Sequence, residues 1–341
     1  MALSDLAVFS EYTYDAMTEV IAQQIDLFNT ASRNTIVLST QAHQGDFSDR
    51  AFWKKVSGLV RRRNAYGSGA VTAKVMQHLT DTMVKVAGGT APVQLDPGQF
   101  RWIQLNPEEA GAALGQQLAQ DMLADMLNTG ITSTRAALAQ VAGVLYDATA
   151  LSPNTLTANH LLGGAGKFGD AMNEIQAWIV HSKAITDFYG TALTNTAQLF
   201  TYGTVNVLSD PFGRVFVVTD SSGLVTTGAP NTYHTVGLVS GGITVDQNDD
   251  FNDNYSTTNG QENIARTYQA EWSYSLGIKG FAWDKTNGGK SPNDAALALG
   301  TRLLRGLDVG EQVGDGLLHH ARGFHHLGQE HLAGAEQVAD D

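Results

Sequence analysis

Residues 106–128 read NPEEAGAALGQQLAQDMLADMLN, the clearest helix pattern in the chain. Asn106 can cap the first turn, Pro107 suits the first helical position, and the two glutamates that follow complement the positive end of the helix dipole. Apolar side chains then recur every four residues and form one ridge: Ala110, Leu114, Leu118, Met122 and Met126. The pattern predicts a helix over residues 107–128, roughly 33 Å long, with Gly130 closing its end.

The segments on either side of this helix predict further helices and then mainly strands. Helical spacing is expected over residues 14–28, 135–145 and 170–193. Residues 154–167 hold three glycines and predict a loop. Short β-prone runs predict strands at 35–38, 82–86, 205–207, 214–218, 233–239 and 242–245, with two more within 264–278. The chain therefore predicts the α+β class.

Residues 41–102 are long, irregular and locally basic. Between Gly45 and Leu105, nine Lys and Arg residues accompany only four Asp and Glu residues. Because a structureless loop of about sixty residues would be unusual in a compact domain, we expect a two-stranded flap that reaches onto a neighbouring molecule. The candidate interface residues are its basic side chains: Lys54, Lys55, Arg61, Arg62 and Arg63. A solvated basic loop is the alternative interpretation.

The composition is poor in charge for a freely diffusing protein. Charged residues make up 16 % of the chain, whereas soluble domains usually carry about a quarter. Because surface charge keeps dissolved proteins apart, this composition suits a chain that covers its surface with copies of itself. An Ala- and Thr-rich soluble enzyme is the alternative. The net charge of −13 argues against general nucleic-acid affinity, since phosphates repel an acidic surface.

The sequence also excludes all cysteine-based sites and argues against a signal peptide and a membrane-spanning segment. It contains no cysteine, so disulfides, thiolate nucleophiles and cysteine metal sites are excluded. The opening MALSDLAVFSEYTYD lacks the basic and apolar regions of a signal peptide. No run approaches 18 consecutive apolar residues, which argues against a membrane span. We therefore expect a protein that is made and kept in a cytoplasm-like compartment.

Two ligand-binding patterns are present only in incomplete form. The glycine-rich segment at 163–168 fails the phosphate-loop pattern, because Phe168 stands where Ser or Thr is needed. Residues 246–250 carry oxygen ligands at alternate positions, but Phe251 and Thr257 replace the Gly and Glu of a calcium loop. We expect an acidic turn there.

The histidines predict no catalytic centre. His181 lies within an apolar pattern and is expected to be a core residue. Half of the ten histidines lie near the end of the chain: His319, His320, His325, His326 and His331. These five could capture zinc or nickel, although such binding would be incidental. The sequence therefore predicts no catalytic, cofactor-binding or metal-binding residues.

Five segments carry a resemblance to a known family. They are LSDLAVFSEYTYDAMTEVIAQQIDLFN at 3–29, GDFSDRAFWKKVSGLVRRRNAYGSG at 45–69, the helix segment at 106–128, FGDAMNEIQAWIVHSKAITDFY at 168–189 followed by the strand at 212–220, and TYQAEWSYSLGIKGFAWD at 267–284. In this order and spacing, the chain resembles the major capsid (coat) proteins of tailed bacteriophages with the Hong Kong 97-type capsid fold. The resemblance extends over residues 1–298.

The resemblance implies a division of the chain into named parts. These are an N-terminal arm at 1–35, an extended loop at 36–105, a peripheral domain with the long spine helix at 106–150, an axial domain at 151–240, and strands returning to the peripheral domain at 241–298. Residues 299–341 depart from the family pattern as a Gly- and His-rich tail. We expect this tail to be poorly ordered, and we hypothesise that a frameshift produced it.

The implied function is structural. The chain would be a homo-oligomer of hexamers and pentamers in the icosahedral head of a tailed double-stranded DNA phage. It would bind other head proteins and, non-specifically, packaged DNA at the inner face, without enzyme activity, cofactor or membrane contact. The protein would reside in the virion after synthesis in the host cytoplasm. The alternatives are an encapsulin-like compartment shell and a hydrolase with a scattered active site. Arginines 61–63 would contact either a neighbouring subunit or the DNA.

Overall fold

The computed structural model describes residues 3–53, 59–76, 78–95, 98, 101, 103, 105–191, 197–202, 205–209, 213–260, 262 and 264–305. The α-helices are α1 (Leu3–Ala31), α2 (Pro107–Ala139), α3 (Ala158–Gly166), α4 (Ser182–Thr191) and α5 (Asp294–Leu297). The strands are β1 (Ile36–Thr40), β2 (Phe47–Trp53), β3 (His78–Gly89), β4 (Val93–Gln94), β5 (Ala177–Val180), β6 (Ala197–Tyr202), β7 (Val205–Ser209), β8 (Val215–Val218), β9 (Val225–Thr226), β10 (Thr232–Tyr233), β11 (Val236–Leu238), β12 (Ile243–Gln247), β13 (Asn252–Thr258), β14 (Ala265–Ile278), β15 (Phe281–Trp283) and β16 (Leu303–Arg305). Helices packed on largely antiparallel sheets confirm the α+β class.

Helix α2 begins where the sequence predicts but runs on to Ala139. The prediction that Gly130 ends this helix is wrong. A Cβ at Gly130 would lie 3.1 Å from Ile243 Cγ2, so the glycine allows the helix to approach the sheet closely. The separate helix expected over 135–145 is also wrong, because its first residues are the last turn of α2 and a short 3-10 turn follows at 142–144.

Helix α1 lies along α2 in the same direction and close to it. A Cβ at Gly111 would lie 2.7 Å from the carbonyl oxygen of Phe9, and one at Gly115 would lie 2.5 Å from that of Thr13. Because neither glycine has a side chain, the two backbones can approach one another. The buried stripe of α1 confirms the predicted amphipathic helix: Met17, Ile21, Ile25 and Phe28.

Strand β14 is the central strand of the larger sheet because it pairs along both edges. One edge pairs with β12 and β13, and the other pairs with β3 and β4. Parallel β1 extends the sheet beyond β12, while β15 and then β16 follow β14. The two strands predicted within 264–278 are therefore one strand. No turn residue interrupts this segment before Gly277.

A five-stranded sheet in the order β11-β5-β8-β7-β6 contributes to two hydrophobic cores. On one face, Ala177, Ile179, Val215 and Val217 join the main core with α2 and the larger sheet. On the other face, Trp178, Val180, Phe216 and Val218 pack with residues of α3 and α4. The helix predicted over 170–193 is therefore wrong at 177–180 and right over α4. A strand buried on both faces is apolar throughout, so its sequence lacks the alternation that identifies a strand.

Two predicted irregular segments contain regular structure. The loop expected over 154–167 contains α3, and the Thr157 side chain caps this helix by accepting a hydrogen bond from His160 N at 3.4 Å. The poorly ordered tail expected from 299 is wrong for its first residues, because β16 pairs with β15 and Leu303 is buried. Residues 306–341, with their five histidines, lie outside the described residues.

Replacing Gly115 with alanine should destabilise the free subunit by about 1–3 kcal/mol, because the new methyl group would collide with the α1 backbone. Denaturant unfolding of the purified chain measures this effect. Gly143→Ala is the control, since its Cβ would meet nothing within 4 Å, and its effect should stay within about 0.5 kcal/mol. Equal stabilities of the two variants would contradict the close packing of α1 on α2.

Candidate assembly interface

The extended hairpin leaves the larger sheet as a two-stranded ribbon. Strand β2 pairs with β3 from Phe47 opposite Val84 to Trp53 opposite His78. Strand β3 then continues into the sheet, where Val84–Gly89 pair with Glu271–Leu276 of β14. The predicted two-stranded character of the flap is confirmed, and its root is fixed because β3 belongs to both the ribbon and the sheet.

The tip of the hairpin, residues 59–76, is exposed along its whole length. Val60 exposes 94 % of its surface and Tyr66 exposes 99 %. Further exposed aliphatic side chains lie on the same tip: Leu59, Val71, Val75 and Met76. Exposed apolar groups in such density usually mark an interaction surface. A single copy of the chain therefore leaves the packing of this tip incomplete.

The structure places three of the five predicted interface residues on this tip. Arg61, Arg62 and Arg63 are exposed, and no ion pair or hydrogen bond joins them to another residue in the described ranges. Lys54 and Lys55 lie outside the described residues. The assignment of all five to an assembly contact stays a prediction.

An ion pair between a half-exposed arginine and a buried aspartate holds the root of the hairpin against the sheet. Arg50 of β2 donates from Nη2 to Oδ2 of Asp246 at 2.9 Å, and the Asp246 side chain is only 7 % exposed. The Ser39 hydroxyl also donates to Asp246. Asp246 belongs to strand β12, so the acidic turn predicted over 246–250 is wrong at its first residues. Removing Arg50 would leave the buried Asp246 charge with the Ser39 hydroxyl but without its cationic partner.

The turn after β15 supplies further contacts to the same root. Lys285 Nζ donates to Asp49 Oδ2 at 2.7 Å and lies 5.4 Å from the centre of the Phe47 ring. Lys290 Nζ lies 3.2 Å from Asp46 Oδ2. Sequence reasoning missed these lysines, because more than two hundred positions separate them from the hairpin. No linear signal links residues so far apart.

Among the described acidic groups at the root, Asp81 is the one with a buried oxygen that lacks a hydrogen-bond partner. It lies opposite Arg50 in the β2–β3 pair, and its Oδ1 is buried without a hydrogen-bond partner among the described residues. Burial raises the pKa of Asp81 to about 7, although the charge of Arg50 acts to lower it. Neighbouring Asp49 behaves oppositely, because hydrogen bonds from Lys285 and Thr82 lower its pKa.

The other sequence candidates do not assemble into a site. His181 follows β5, where its Nδ1 accepts a hydrogen bond from Lys183 N at 3.1 Å and its Nε2 lies 3.7 Å from Asp220 Oδ1. The glycines at 163–166 belong to α3. Within the described ranges, no three potential metal ligands lie together. The helices described there are also too short or too polar to cross a membrane.

Comparison with known proteins assigns the chain to a family. The family model described as Major capsid protein 13-like matches residues 5–302. The chain belongs to this family of major capsid proteins. This assignment confirms the resemblance to phage major capsid proteins. The capsid protein is therefore a structural component of the virion shell, where it is oligomeric.

Solved phage structures show partial similarity to the capsid protein. The head structure of Helicobacter pylori bacteriophage KHP40 has 8 % sequence identity and a TM-score of 0.45, covering 74 % of this chain and 82 % of that one. The Cyanophage Pam1 capsid asymmetric unit has 12 % identity and a TM-score of 0.42, covering 69 % and 80 %. Microbacterium phage Oxtober96 has 9 % identity and a TM-score of 0.41, covering 71 % and 83 %. No curated protein matches the chain.

Asp81→Asn should remove a pH-dependent loss of stability. Because folding raises the pKa of Asp81, the folded state binds the proton more tightly, and stability falls as pH rises from about 4 to about 7. The free energy of unfolding of the variant, relative to that of the parent, should therefore be higher at pH 8 than at pH 5 by about 1 kcal/mol or more. Denaturant unfolding at both pH values measures the difference.

Asp49→Asn is the matched control, because the effect of Asp49 on stability depends on pH in the opposite direction. The pKa of Asp49 is lowered on folding, so its stabilising contribution is present at neutral pH and disappears as pH falls through that lowered pKa. This variant should be less stable than the parent at pH 8. If Asp81→Asn shifted stability equally at pH 5 and pH 8, Asp81 would not carry the buried charge described here.

Proposed function

We propose that the capsid protein builds the icosahedral head of a tailed double-stranded DNA phage by placing its extended hairpin on a neighbouring copy. The observation that carries the proposal is the tip at 59–76, whose aliphatic side chains and three arginines are all exposed. Because the chain belongs to a capsid family, many copies of it come together, and another copy is the most abundant protein that could cover this tip. The shell would then supply the packing that one chain lacks.

The two parts of the fold would have different positions in the shell. We assign the larger sheet with α2 to the peripheral domain and the five-stranded sheet with α3 and α4 to the axial domain. Axial domains would meet at five-fold and six-fold positions through heterologous contacts that close into pentamers and hexamers. The presence of two hydrophobic cores supports this division.

The arginines at 61–63 would meet acidic protein surface. The competing interpretation places them on packaged DNA at the inner face of the shell. The chemistry of the tip favours protein, because Val60, Val75 and Met76 on the same tip offer aliphatic surface that a phosphate backbone cannot bury. Contact with DNA elsewhere on the inner face would be non-specific.

The remaining parts of the proposal follow from a structural role. The protein would be synthesised in the host cytoplasm, assemble with other head proteins without membrane contact, and perform no catalysis. Net negative charge on the chain supports the absence of tight DNA binding outside the basic hairpin.

Reversing the charges at the tip tests the proposal. The triple variant Arg61→Glu, Arg62→Glu, Arg63→Glu should reduce the yield of shells about tenfold or more. The thermal unfolding of the free subunit should stay unchanged, because the three side chains are exposed and form no ion pair with a described residue. Shell yield is measured by sedimentation and negative-stain microscopy after co-expression with the other head proteins. Wild-type assembly should also weaken as salt screens the contact.

The conservative triple variant Arg61→Lys, Arg62→Lys, Arg63→Lys is the control. It keeps the positive charge and should form far more shells than the glutamate variant, although lysine loses the two parallel hydrogen bonds that each arginine can make. Unchanged assembly of the glutamate variant would overturn the role of the tip, and the proposal would then be withdrawn for these residues.

A further inference from the structure

The charged residues on the outward face of α1 are all acidic. Glu11, Asp15, Glu19 and Asp26 are all exposed, and their spacing places them on the side of the helix opposite the buried stripe. The whole of α1 contains no Lys or Arg residue. From Glu11 to Asp26 the face extends for roughly 22 Å along the helix. In the described part of the chain, no cation pairs with any of these four carboxylates.

This pattern is unfavourable for the helix itself. Glu11, Asp15 and Glu19 are successive four-residue neighbours, and like charges at this spacing destabilise a helix by a few tenths of a kcal/mol per pair. Local helix stability therefore does not explain the acidic face.

The distal hairpin has the opposite composition. Residues 51–80 contain six Lys and Arg residues and no Asp or Glu. The three consecutive arginines at 61–63 project from the exposed tip. Each guanidinium can bind a carboxylate through two parallel hydrogen bonds, so a row of arginines matches a row of carboxylates in geometry as well as in charge.

The two surfaces also match in their apolar groups. Tyr12 and Leu27 of α1 expose 40 % and 56 % of their surfaces beside the acidic face. The hairpin tip exposes Val60 and Tyr66 beside its arginines. Arginine packs well against tyrosine rings, so a contact between the two surfaces would bury apolar area together with the charge pairs.

We propose that the acidic face of α1 on one copy is the surface on which the arginine-bearing hairpin tip of a second copy docks. This inference rests on the proposed assembly function and names the receiving surface. Within one copy, α1 lies on α2 and the tip is exposed throughout, so the contact joins neighbours. The pairing of one surface with the other would propagate around a ring of subunits.

A charge-exchange experiment tests the pairing, again in co-expression with the other head proteins. The helix variant Glu11→Lys, Asp15→Lys, Glu19→Lys should lower shell yield about tenfold or more, as the hairpin triple glutamate variant does. The combination of the two sets of substitutions should restore the yield to within about threefold of the parent, because each surface then meets its reversed counterpart.

A second set of acidic residues separates specific pairing from overall charge. Glu174→Lys, Glu262→Lys and Glu271→Lys change exposed carboxylates outside α1 by the same total charge. Combined with the hairpin glutamate variant, they should leave the yield low. Restoration by this control set would overturn the α1 assignment, because it would show that net charge alone governs assembly.

A neutral variant covers the case in which the lysine variant misfolds. Glu11→Gln, Asp15→Asn, Glu19→Gln removes the repulsion within α1, so the free subunit should be as stable as the parent or slightly more stable, while shell yield should fall about threefold or more. Full assembly of the neutral and lysine variants, with assembly still blocked by the hairpin variant, would overturn the α1 assignment and leave the proposed function of the hairpin intact.

Discussion

Strand β3 belongs to both the hairpin and the larger sheet, and the placement of the assembly surface depends on this sharing. Hydrogen bonds to β14 on one side and to β2 on the other make the ribbon a rigid continuation of the core. The ion pair between Arg50 and Asp246 and the contacts of Lys285 and Lys290 then fix the root of the ribbon. The direction of the paired ribbon, from which the tip at 59–76 continues, is therefore determined by the packed part of the molecule.

Among the described residues, the hairpin tip and the outward face of α1 are opposite in charge. On a free monomer, the tip with its three arginines and the acidic helix face each hold like charges whose electrostatic repulsion no opposite charge in the described part of the chain offsets. The tip also exposes apolar side chains to water. Docking of the tip of one copy on the helix face of another would offset the repulsion within each surface and bury the apolar side chains. The low overall content of charged residues fits a chain that covers much of its surface with copies of itself.

The sequence predicted those features that depend on local chemistry. Pro107 and the following glutamates marked the start of α2, and the basic residues marked the hairpin. Asn106 lies at the expected N-cap position, but its side chain makes no capping hydrogen bond and instead donates to Glu109. The predictions that were wrong concern tertiary packing. Gly130 faces Ile243 and Val245 across a close helix–sheet contact, so it does not end the helix. Strand β5 is buried on both faces, so its residues are all apolar and show no alternation. Its sequence was therefore interpreted as part of a helix. The contacts of Lys285 and Lys290 join positions too distant in sequence for any pattern to connect them.

The central claim is that the tip at 59–76 is buried only when copies of the chain assemble. Because the chain contains no cysteine, a single Val60→Cys substitution gives a unique thiol whose rate of labelling reports the exposure of the tip. We predict fast labelling in free subunits and labelling at least about tenfold slower in assembled shells. Equal rates in the two states would contradict the account.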